Sequence, residues 1–461
     1  MKTINDPAHA LDHGLAAIRA QFHVPGDFSP AVLAAAEEVA KRPFTDHVDR
    51  RSLDFRTLDP ATSTDLDQAF AIEVAGADIL LHYAIADVAW FVDDDGPIDR
   101  EAWARGETIY LPDGKASLYP PVLSEGAASL LPAADRPAIV MHVRIAPDGG
   151  ATMDSVERAI IHSRAKLAYD SVAAADLPAG FEDLSQRIAA AEAARGAARV
   201  DPPQQLVSPV AGGGWLLDFE PRLKSEDDNA AMSLAANLAA AALLQAHHTG
   251  LFRVMPAPGH RATSRLRHSA KALALDWPSN LSLDQYSRTL SATDPKQAAF
   301  MLEIRRASLG ATYQPYHDGV VPWHAAMAAT YVHATAPLRR LADRYVLRGL
   351  LAVANGQPVP DVVSAAYQKL PEVMARADQL ASTVDRAAID LAEAVMLQPR
   401  VGEKFAAVVT DIDERGARIM LTDMPVIARV AASGVTPGDA IQVTLASADP
   451  ATRQVGFTPA S

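Results

Sequence analysis

The segment DFRTLDPATSTDLDQAF, residues 54–70, organises the chain around three closely spaced carboxylates. Asp59, Asp65 and Asp67 follow the spacing D-x5-D-x-D, and Gln68 comes directly after the last of them. The Pro-Ala-Thr-Ser-Thr stretch between the first two cannot continue a straight strand, so we predict a loop in which the carboxylates converge. Oxygen-only donors favour Mg²⁺ or Mn²⁺ over Zn²⁺. Aspartates at this spacing are also typical of turns and helix caps, and the spacing alone leaves that alternative open.

The residues on either side of this segment predict a sheet and several large helices. Alternation of apolar and polar residues predicts strands at 69–74, 79–85, 138–145 and 159–162. Helical periodicity predicts helices at 171–198, 227–247, 337–354 and 367–398, with a linker or hairpin at 202–214. The second of these helices is apolar almost throughout, so we expect it to be buried in a large core.

The two ends of the chain predict smaller units. Residues 1–48 predict a small helical unit, in which Ser29 caps a helix that has Pro30 at its first position. Its two helices are compatible with a helix-turn-helix and equally with a plain docking segment. Residues 398–461 predict five short strands separated by turn signals, which is the size of a Greek-key barrel of the OB type. The fold class is therefore α+β, with a central domain at 49–397 between these two units.

Composition excludes several classes of protein. The 461 residues contain no cysteine, which excludes a disulfide scaffold, a zinc–thiolate site and thiol catalysis, and fits the cytoplasm. No apolar run approaches the roughly 20 residues of a membrane span, and the N-terminus lacks the order of a signal peptide, so we expect no membrane association. The net charge of −14 argues against a generic nucleic-acid coat protein, which is normally basic.

The charge is distributed unevenly along the chain. The segment from Asp59 to Glu107 contains twelve acidic residues and only two basic ones, Arg100 and Arg105, which gives it a net charge of −10. By contrast, residues 251–271 carry five Arg or Lys and no acid. An acidic centre with basic flanks suits a site that gathers cations and a polyanion. An ordinary solvated surface gives the same counts.

Four segments together resemble a known family. In chain order they are DFRTLDPATSTDLDQAF (54–70), LHYAIADVAWFV (81–92), ETIYLPDGKASLYPPVLSEGAASLLP (107–132) and YVHATAPLRRLADRYVLRGLL (331–351). They resemble the RNB catalytic domain of the ribonuclease II/ribonuclease R family of 3′→5′ exoribonucleases over roughly residues 50–397, and the tail resembles the OB domain that follows it there. The N-terminal segment stands where long members carry cold-shock domains, as in a shorter bacterial subgroup.

The resemblance implies an activity and its partners. It implies Mg²⁺-dependent hydrolysis of single-stranded RNA, and of structured RNA with a 3′ overhang, to nucleoside 5′-monophosphates. Mn²⁺ is an alternative ion, and we expect a cytoplasmic monomer. Two other functions stay open: a catalytically weakened RNA-binding paralogue, and a metal-dependent hydrolase of DNA or small nucleotides.

The resemblance also implies roles for the metal site. Asp59, Asp65 and Asp67 match three of four family aspartates that hold magnesium and act on the scissile phosphate. Gln68 stands at the fourth position, where its neutral amide oxygen is a weaker ligand for a hard cation. This departure puts the number, affinity or placement of the metal ions in question. We expect the three aspartates to suffice with a higher demand for metal, and together with Arg339 they argue against the weakened paralogue.

Further positions match substrate contacts of the family. Arg339 matches the arginine that contacts the scissile phosphate, and Arg340 and His333 are additional candidates for substrate binding. Tyr110 matches the aromatic residue that stacks on the 3′-terminal bases. Asp385 aligns with a glutamate that assists at the scissile phosphate, although its carboxylate is one methylene shorter.

Overall fold

The computed structural model describes residues 2–460 except 5, 7, 8, 133, 199, 201, 203, 211, 212, 221, 414, 415 and 433. The α-helices are α1 (Ala10–Gln21), α2 (Pro30–Val39), α3 (Val88–Phe91), α4 (Pro97–Arg105), α5 (Phe181–Ala194), α6 (Lys224–Ala246), α7 (His260–Ala272), α8 (Leu283–Ser287), α9 (Pro295–Ala307), α10 (Leu341–Ala354) and α11 (Asp361–Leu397). Single helical turns lie at Leu123–Ala127, Ala174–Asp176, Ala325–Met327 and Gln398–Arg400.

The strands form a central sheet, several small sheets and a barrel. In chain order they are β1 (Lys2–Ile4), β2 (Val48–Asp49), β3 (Phe55–Asp59), β4 (Gln68–Ala75), β5 (Asp78–Ala86), β6 (Ile109–Leu111), β7 (Gly114–Ala116), β8 (Asp135–Ile145), β9 (Ala151–Ala168), β10 (Gln204–Pro209), β11 (Trp215–Glu220), β12 (Leu251–Val254), β13 (Thr312–Pro315), β14 (Trp323–His324), β15 (Ala329–Thr330), β16 (Lys404–Asp413), β17 (Gly416–Leu421), β18 (Ile427–Val430), β19 (Ala440–Asp449) and β20 (Gln454–Pro459).

The central sheet has the order β2-β9-β3-β4-β5-β8. The strands predicted at 69–74 and 79–85 are confirmed and form a hairpin: β4 pairs antiparallel with β5, from Gln68 opposite Ile85 to Ala75 opposite Asp78. The long strand β9 pairs with β8 along its first part and with β3 along its last part, which joins the two edges of the sheet. Because β3 ends at Asp59 and β4 begins at Gln68, the segment between them is a loop at one end of the sheet.

The apolar helix α6 lies in the core, as predicted. Its length and composition alone would allow it to cross a membrane. In the structure it packs instead against α5, α10, β5, β8 and β9, and its buried positions include Met232, Leu234 and Leu244. Burial on several sides explains why this helix shows no polar face.

The two N-terminal helices confirm the sequence prediction but do not share a core. The Ser29 side chain accepts a hydrogen bond from the Val32 amide at 3.4 Å, as expected for the cap of α2. Helix α1 packs against α11, whereas α2 packs against α4. The pair therefore does not pack as an isolated helix-turn-helix. Strand β1, which sequence patterns did not indicate, pairs with β11.

The C-terminal strands close a five-stranded barrel in the order β16-β17-β18-β20-β19, which confirms the predicted OB-type tail. Its two aromatic residues, Phe405 and Phe457, are buried, and their rings pack edge to face with centroids 6.0 Å apart. They belong to the barrel core, so this domain offers no exposed ring for base stacking from these positions.

A buried carboxyl joins the barrel to the rest of the chain. Glu393 of α11 accepts hydrogen bonds at Oε1 from Gln205 Nε2 of β10 at 2.6 Å and from the Ile427 amide of β18 at 3.2 Å. Burial raises the pKa of Glu393 from its usual 4.5 to about 7, against the lowering effects of Arg386 and these hydrogen bonds. Between about pH 4.5 and pH 7, Glu393 therefore stays protonated in the native state although it is ionised in the unfolded chain.

Glu393→Gln is expected to reduce the dependence of stability on pH. Because the folded pKa lies above the unfolded pKa, wild-type stability from this group falls as the pH rises from about 4.5 to about 7. Over that range the variant should gain about 2–3 kcal/mol in unfolding free energy relative to wild type. Denaturant unfolding at pH 4.5 and pH 8 measures the difference. Glu372→Gln, at an exposed position of the same helix, is the control and should change little; an equal gain in both variants would contradict this account.

Candidate active site

The loop that carries the aspartates is fixed by contacts distant in sequence. The Leu66 amide donates to Ser129 Oγ at 2.9 Å, and this hydroxyl donates to the Thr64 carbonyl at 2.7 Å. The Leu130 amide donates to the Leu66 carbonyl at 2.9 Å. Ser129 was not indicated by the sequence pattern, yet it holds the loop in the shape that presents the carboxylates.

Asp67 is the most constrained carboxylate of the site. Its Oδ1 accepts the Leu338 amide at 2.7 Å, and its Oδ2 lies 3.3 Å from Arg339 Nε. Burial raises the pKa of Asp67 to about 7, while Arg339 and the Leu338 amide lower it. Two segments separated by some 270 residues thus meet at one buried anion.

Arg339 reaches this anion with one nitrogen only. Its side chain is 44% exposed, and the part of the chain described by the structure contains no further hydrogen bond to its guanidinium. The Nη atoms are therefore free to bind an oxyanion, and a guanidinium can grip phosphate with two parallel hydrogen bonds.

Asp59 and Asp65 differ in how their charges are compensated. Burial raises the pKa of Asp59 to about 6, and the charge of Asp65 adds to this effect. Asp59 Oδ2 is buried without a hydrogen-bond partner among the described residues. Asp65 instead lies 3.0 Å from Lys115 Nζ and accepts a hydrogen bond from the Tyr110 hydroxyl at 3.4 Å.

The loop that carries Arg339 is held by two buried polar side chains. Asn237 of α6 accepts the Ala334 amide at 2.9 Å, and Asp343 of α10 accepts the Ala336 amide at 2.8 Å. Neither residue was indicated by the sequence pattern. Their positions show that the core helices themselves place the arginine opposite Asp67.

Arg340 and His333 organise this loop rather than line the cavity. Arg340 donates to both oxygens of Asp343, at 3.0 and 2.9 Å. His333 is hydrogen-bonded to the Tyr313 hydroxyl at 2.9 Å through Nδ1. Burial, together with nearby arginines, lowers the pKa of His333 well below its usual value, so the ring is neutral. Their predicted role as substrate contacts stays a prediction.

Tyr110 lies beside the aspartates, as the sequence prediction requires. The chain before it pairs with the arginine loop, since the Thr108 amide donates to the Arg339 carbonyl at 3.0 Å. The Tyr110 side chain is half-exposed, which leaves a ring face available for stacking.

Gln68 and Asp385 differ from what ligand roles require. The Gln68 amide is used at both ends: Nε2 donates to the Thr335 carbonyl at 2.7 Å, and Oε1 accepts from the buried Tyr83 hydroxyl. Burial raises the pKa of Asp385, and the charges that oppose this are Arg386 and Arg305. Among the described residues, no contact joins Asp385 to the three aspartates or Arg339, so the structure does not bring it into the cluster.

The carboxylates do not enclose a metal by themselves. Within the described ranges, no group of three or more His, Cys, Asp or Glu side chains is arranged tightly enough to hold an ion. Mg²⁺, however, is commonly bound by one or two carboxylates plus substrate phosphates and waters. Asp59 Oδ2 is buried without a hydrogen-bond partner among the described residues, so this oxygen is available to such an ion. The donor set therefore fits a hard cation shared with a phosphate.

A large cavity lies against this cluster. Its volume is about 1020 Å³, and Asp59, Gln68 and Arg339 form part of its wall. The rest comes mainly from α5, α6, α8, α9 and the segment around Met327. A ligand in this cavity can therefore contact Asp59 and Arg339, whereas Asp65, Asp67 and Tyr110 do not form part of its wall.

Comparison with known proteins defines the class. Residues 47–356 match the RNB domain, and residues 403–460 match the RNase II-type exonuclease C-terminal S1 domain. The chain belongs to the RNB-domain family. Ribonuclease R of Escherichia coli (strain K12) is similar to it, with 26% identity over 430 residues that cover 85% of this chain and 52% of the relative. The chain thus spans about half the length of the curated relatives that it matches.

Solved structures share the fold. RNase R of Mycoplasma genitalium, in complex with ribose-methylated single-stranded RNA, has a TM-score of 0.86 at 19% identity and covers 100% of this chain and 79% of that one. Yeast Ssd1, described as a pseudonuclease, has a TM-score of 0.66 at 15% identity, covering 95% and 57%. Because one of these proteins is called a nuclease and the other a pseudonuclease, the fold does not decide activity and the residues of the site must.

Proposed function

We propose that the chain is a metal-dependent 3′→5′ exoribonuclease that hydrolyses single-stranded RNA to nucleoside 5′-monophosphates. Mg²⁺ is the expected ion, with Mn²⁺ as a substitute. The observation that carries the proposal is the pairing of buried Asp67 with half-exposed Arg339, which forms part of the wall of a cavity of about 1020 Å³.

Each residue has a distinct task in this proposal. Asp59 and Asp67 would hold the cation, which when bound supplies nucleophile activation and charge neutralisation. Arg339 would grip the scissile phosphate with its free Nη atoms and offset the charge that develops there. Tyr110 would stack on the terminal base and set the position of the 3′ end.

The weakened paralogue is the main alternative. The use of the Gln68 amide by Thr335 and Tyr83 favours it, since this side chain offers no free charge to a cation. The intact pairing of Asp67 with Arg339 and the unpartnered oxygen of Asp59 favour a nuclease. A hydrolase of DNA or small nucleotides shares the same phosphate chemistry, so substrate preference must be measured.

A direct assay separates these functions. Purified protein is incubated with 5′-labelled single-stranded RNA and with DNA of the same sequence, with Mg²⁺ or with EDTA. Stepwise shortening of RNA alone, abolished by EDTA, supports the proposal. RNA binding without cleavage supports the paralogue, and equal shortening of DNA supports the broader hydrolase.

Tyr110→Ala is expected to change the length of the final RNA fragment and to raise KM by about tenfold. A lost base stack is worth about 1–3 kcal/mol. The hydrolysis step should be less affected, because the ring is not among the charged groups of the site. Sequencing gels and initial rates measure both effects. Trp323→Ala, at an equally exposed ring that does not contact the aspartates, is the control; identical fragments from wild type and Tyr110→Ala would rule out the clamp.

Gln68→Asp is expected to lower the Mg²⁺ concentration that gives half-maximal activity. The substitution adds a negative charge next to Asp67, which strengthens the attraction for a divalent ion. It also removes the amide that donates to the Thr335 carbonyl, so stability should fall modestly. Gln68→Asn introduces a side chain of the same length as aspartate but without its charge, and serves as the control. A Mg²⁺ requirement no lower than that of wild type would show that this position does not limit metal binding.

A further inference from the structure

Lys115 places its ammonium group between two carboxylates beside the candidate metal site. Its Nζ lies 3.0 Å from Asp65 Oδ1 and 3.0 Å from Glu125 Oε1. Lys115 is only 21% exposed and Asp65 only 12%, so solvent screens this pair weakly. A lysine ammonium is a compact point charge, and this one bridges two carboxylates much as a small ion would.

The hairpin of β6 and β7 builds this arrangement. Tyr110 and Lys115 are direct cross-strand partners in that hairpin. Both side chains contact Asp65: the ammonium contacts Oδ1, and the Tyr110 hydroxyl donates to Oδ2. Each oxygen of Asp65 therefore has a partner from the same small element.

Among the described residues, no lysine contacts either of the other two aspartates, although the charges of Arg339 and Lys166 act on Asp59. Asp59 Oδ2 has no hydrogen-bond partner within the described part of the chain. Asp67 accepts the Leu338 amide at Oδ1, and its Oδ2 meets only the Nε of the half-exposed Arg339. When both are ionised, Asp59 and Asp67 together carry two negative charges, which equals the charge of one divalent cation.

We propose that Lys115 takes the place of a second metal ion and restricts the site to one divalent cation, held by Asp59 and Asp67. This inference rests on the proposed metal-dependent function. In this arrangement Asp65 is a positioning residue rather than a metal ligand. Neutralised by Lys115, it orients the Tyr110 hydroxyl and thereby the ring that would stack on RNA.

The number of bound ions tests this directly. Mn²⁺ binding to the full chain is followed by electron paramagnetic resonance, with a nucleoside 5′-monophosphate present, which supplies phosphate and has no internucleotide bond to cleave. Wild type should bind one Mn²⁺ per chain. Lys115→Met frees Asp65 and Glu125 and should admit a second ion, whereas Lys115→Arg keeps the charge and should restore one.

If Lys115→Met does not fold, a second pair of variants tests the same inference by comparing Mn²⁺ affinities. Asp65→Asn should bind Mn²⁺ with an affinity within about twofold of wild type, because Asp65 is not a ligand. Asp59→Asn should lose about tenfold or more, on the scale of removing a group that supports a metal. Thermal unfolding of every variant verifies the fold.

The outcomes that overturn the inference are distinct from failure of the proposed function. Two ions bound to wild type, one ion of unchanged affinity in a folded Lys115→Met variant, or equal losses in Asp65→Asn and Asp59→Asn would each overturn the role of Lys115. No Mn²⁺ bound to wild type would overturn the metal-dependent function along with it.

Discussion

Replacing Asp67 with asparagine is expected to slow RNA hydrolysis by about 10²–10³-fold or more, the scale of removing one preorganised electrostatic group from an active site. The asparagine oxygen can still accept the Leu338 amide, so the geometry of the loop should persist. What is lost is the negative charge that would hold the cation. RNA affinity should be unchanged or higher, since a like charge near the phosphate is removed. Single-turnover rates and fluorescence anisotropy measure the two effects separately.

Asp54→Asn is the matched control for this variant. Asp54 lies just before β3 and pairs with Arg56 at the surface, with its side chain 56% exposed. It should keep the wild-type rate. An Asp67→Asn variant that retains more than about a tenth of wild-type activity, in the same assay, would remove Asp67 from the centre of the mechanism.

Arg339→Lys is expected to lower kcat by about 10²-fold with a smaller change in KM. Lysine keeps the positive charge but cannot form the two parallel hydrogen bonds with which a guanidinium grips phosphate. The loss should therefore appear mainly where charge develops, in the chemical step. Steady-state kinetics over a range of RNA concentrations separate kcat from KM.

Arg144→Lys provides the comparison. Arg144 is exposed to a similar degree, but it pairs with Asp78 and Asp154 on the central sheet and does not line the cavity. Its substitution should leave both constants unchanged. If Arg339→Lys behaved in the same way, the free Nη atoms of Arg339 would not be phosphate ligands.

Local sequence patterns were sufficient to predict those elements whose structure depends on interactions between residues close in the sequence. The Pro-Ala-Thr-Ser-Thr stretch predicts the loop, Ser29 predicts the start of α2, and alternation predicts the strands β4 and β5. Strand β9 was predicted only at 159–162, whereas it spans Ala151–Ala168. Charged residues such as Asp154 and Glu157 obscure its alternation, because they pair with Arg144 and His142 on the neighbouring strand β8.

The site itself depends on contacts that no local pattern contains. Asn237 and the segment it supports at Ala334 are 97 residues apart, and Ser129 fixes a loop 63 residues earlier in the chain. Lys115 meets Asp65 only because the hairpin of β6 and β7 folds against the loop. Sequence resemblance indicated the candidate site residues, while their orientation and charge balance came from the packing.

The product of the reaction tests the central claim most directly. Single-stranded RNA is incubated with the protein and Mg²⁺ in water enriched in ¹⁸O, and the released nucleotides are analysed by mass spectrometry. We predict nucleoside 5′-monophosphates that each carry one ¹⁸O atom on phosphorus, because water attacks the phosphate and the 3′ oxygen leaves. Release of 2′,3′-cyclic phosphates or 3′-phosphates, or no nucleotide release while RNA stays bound, would contradict the account.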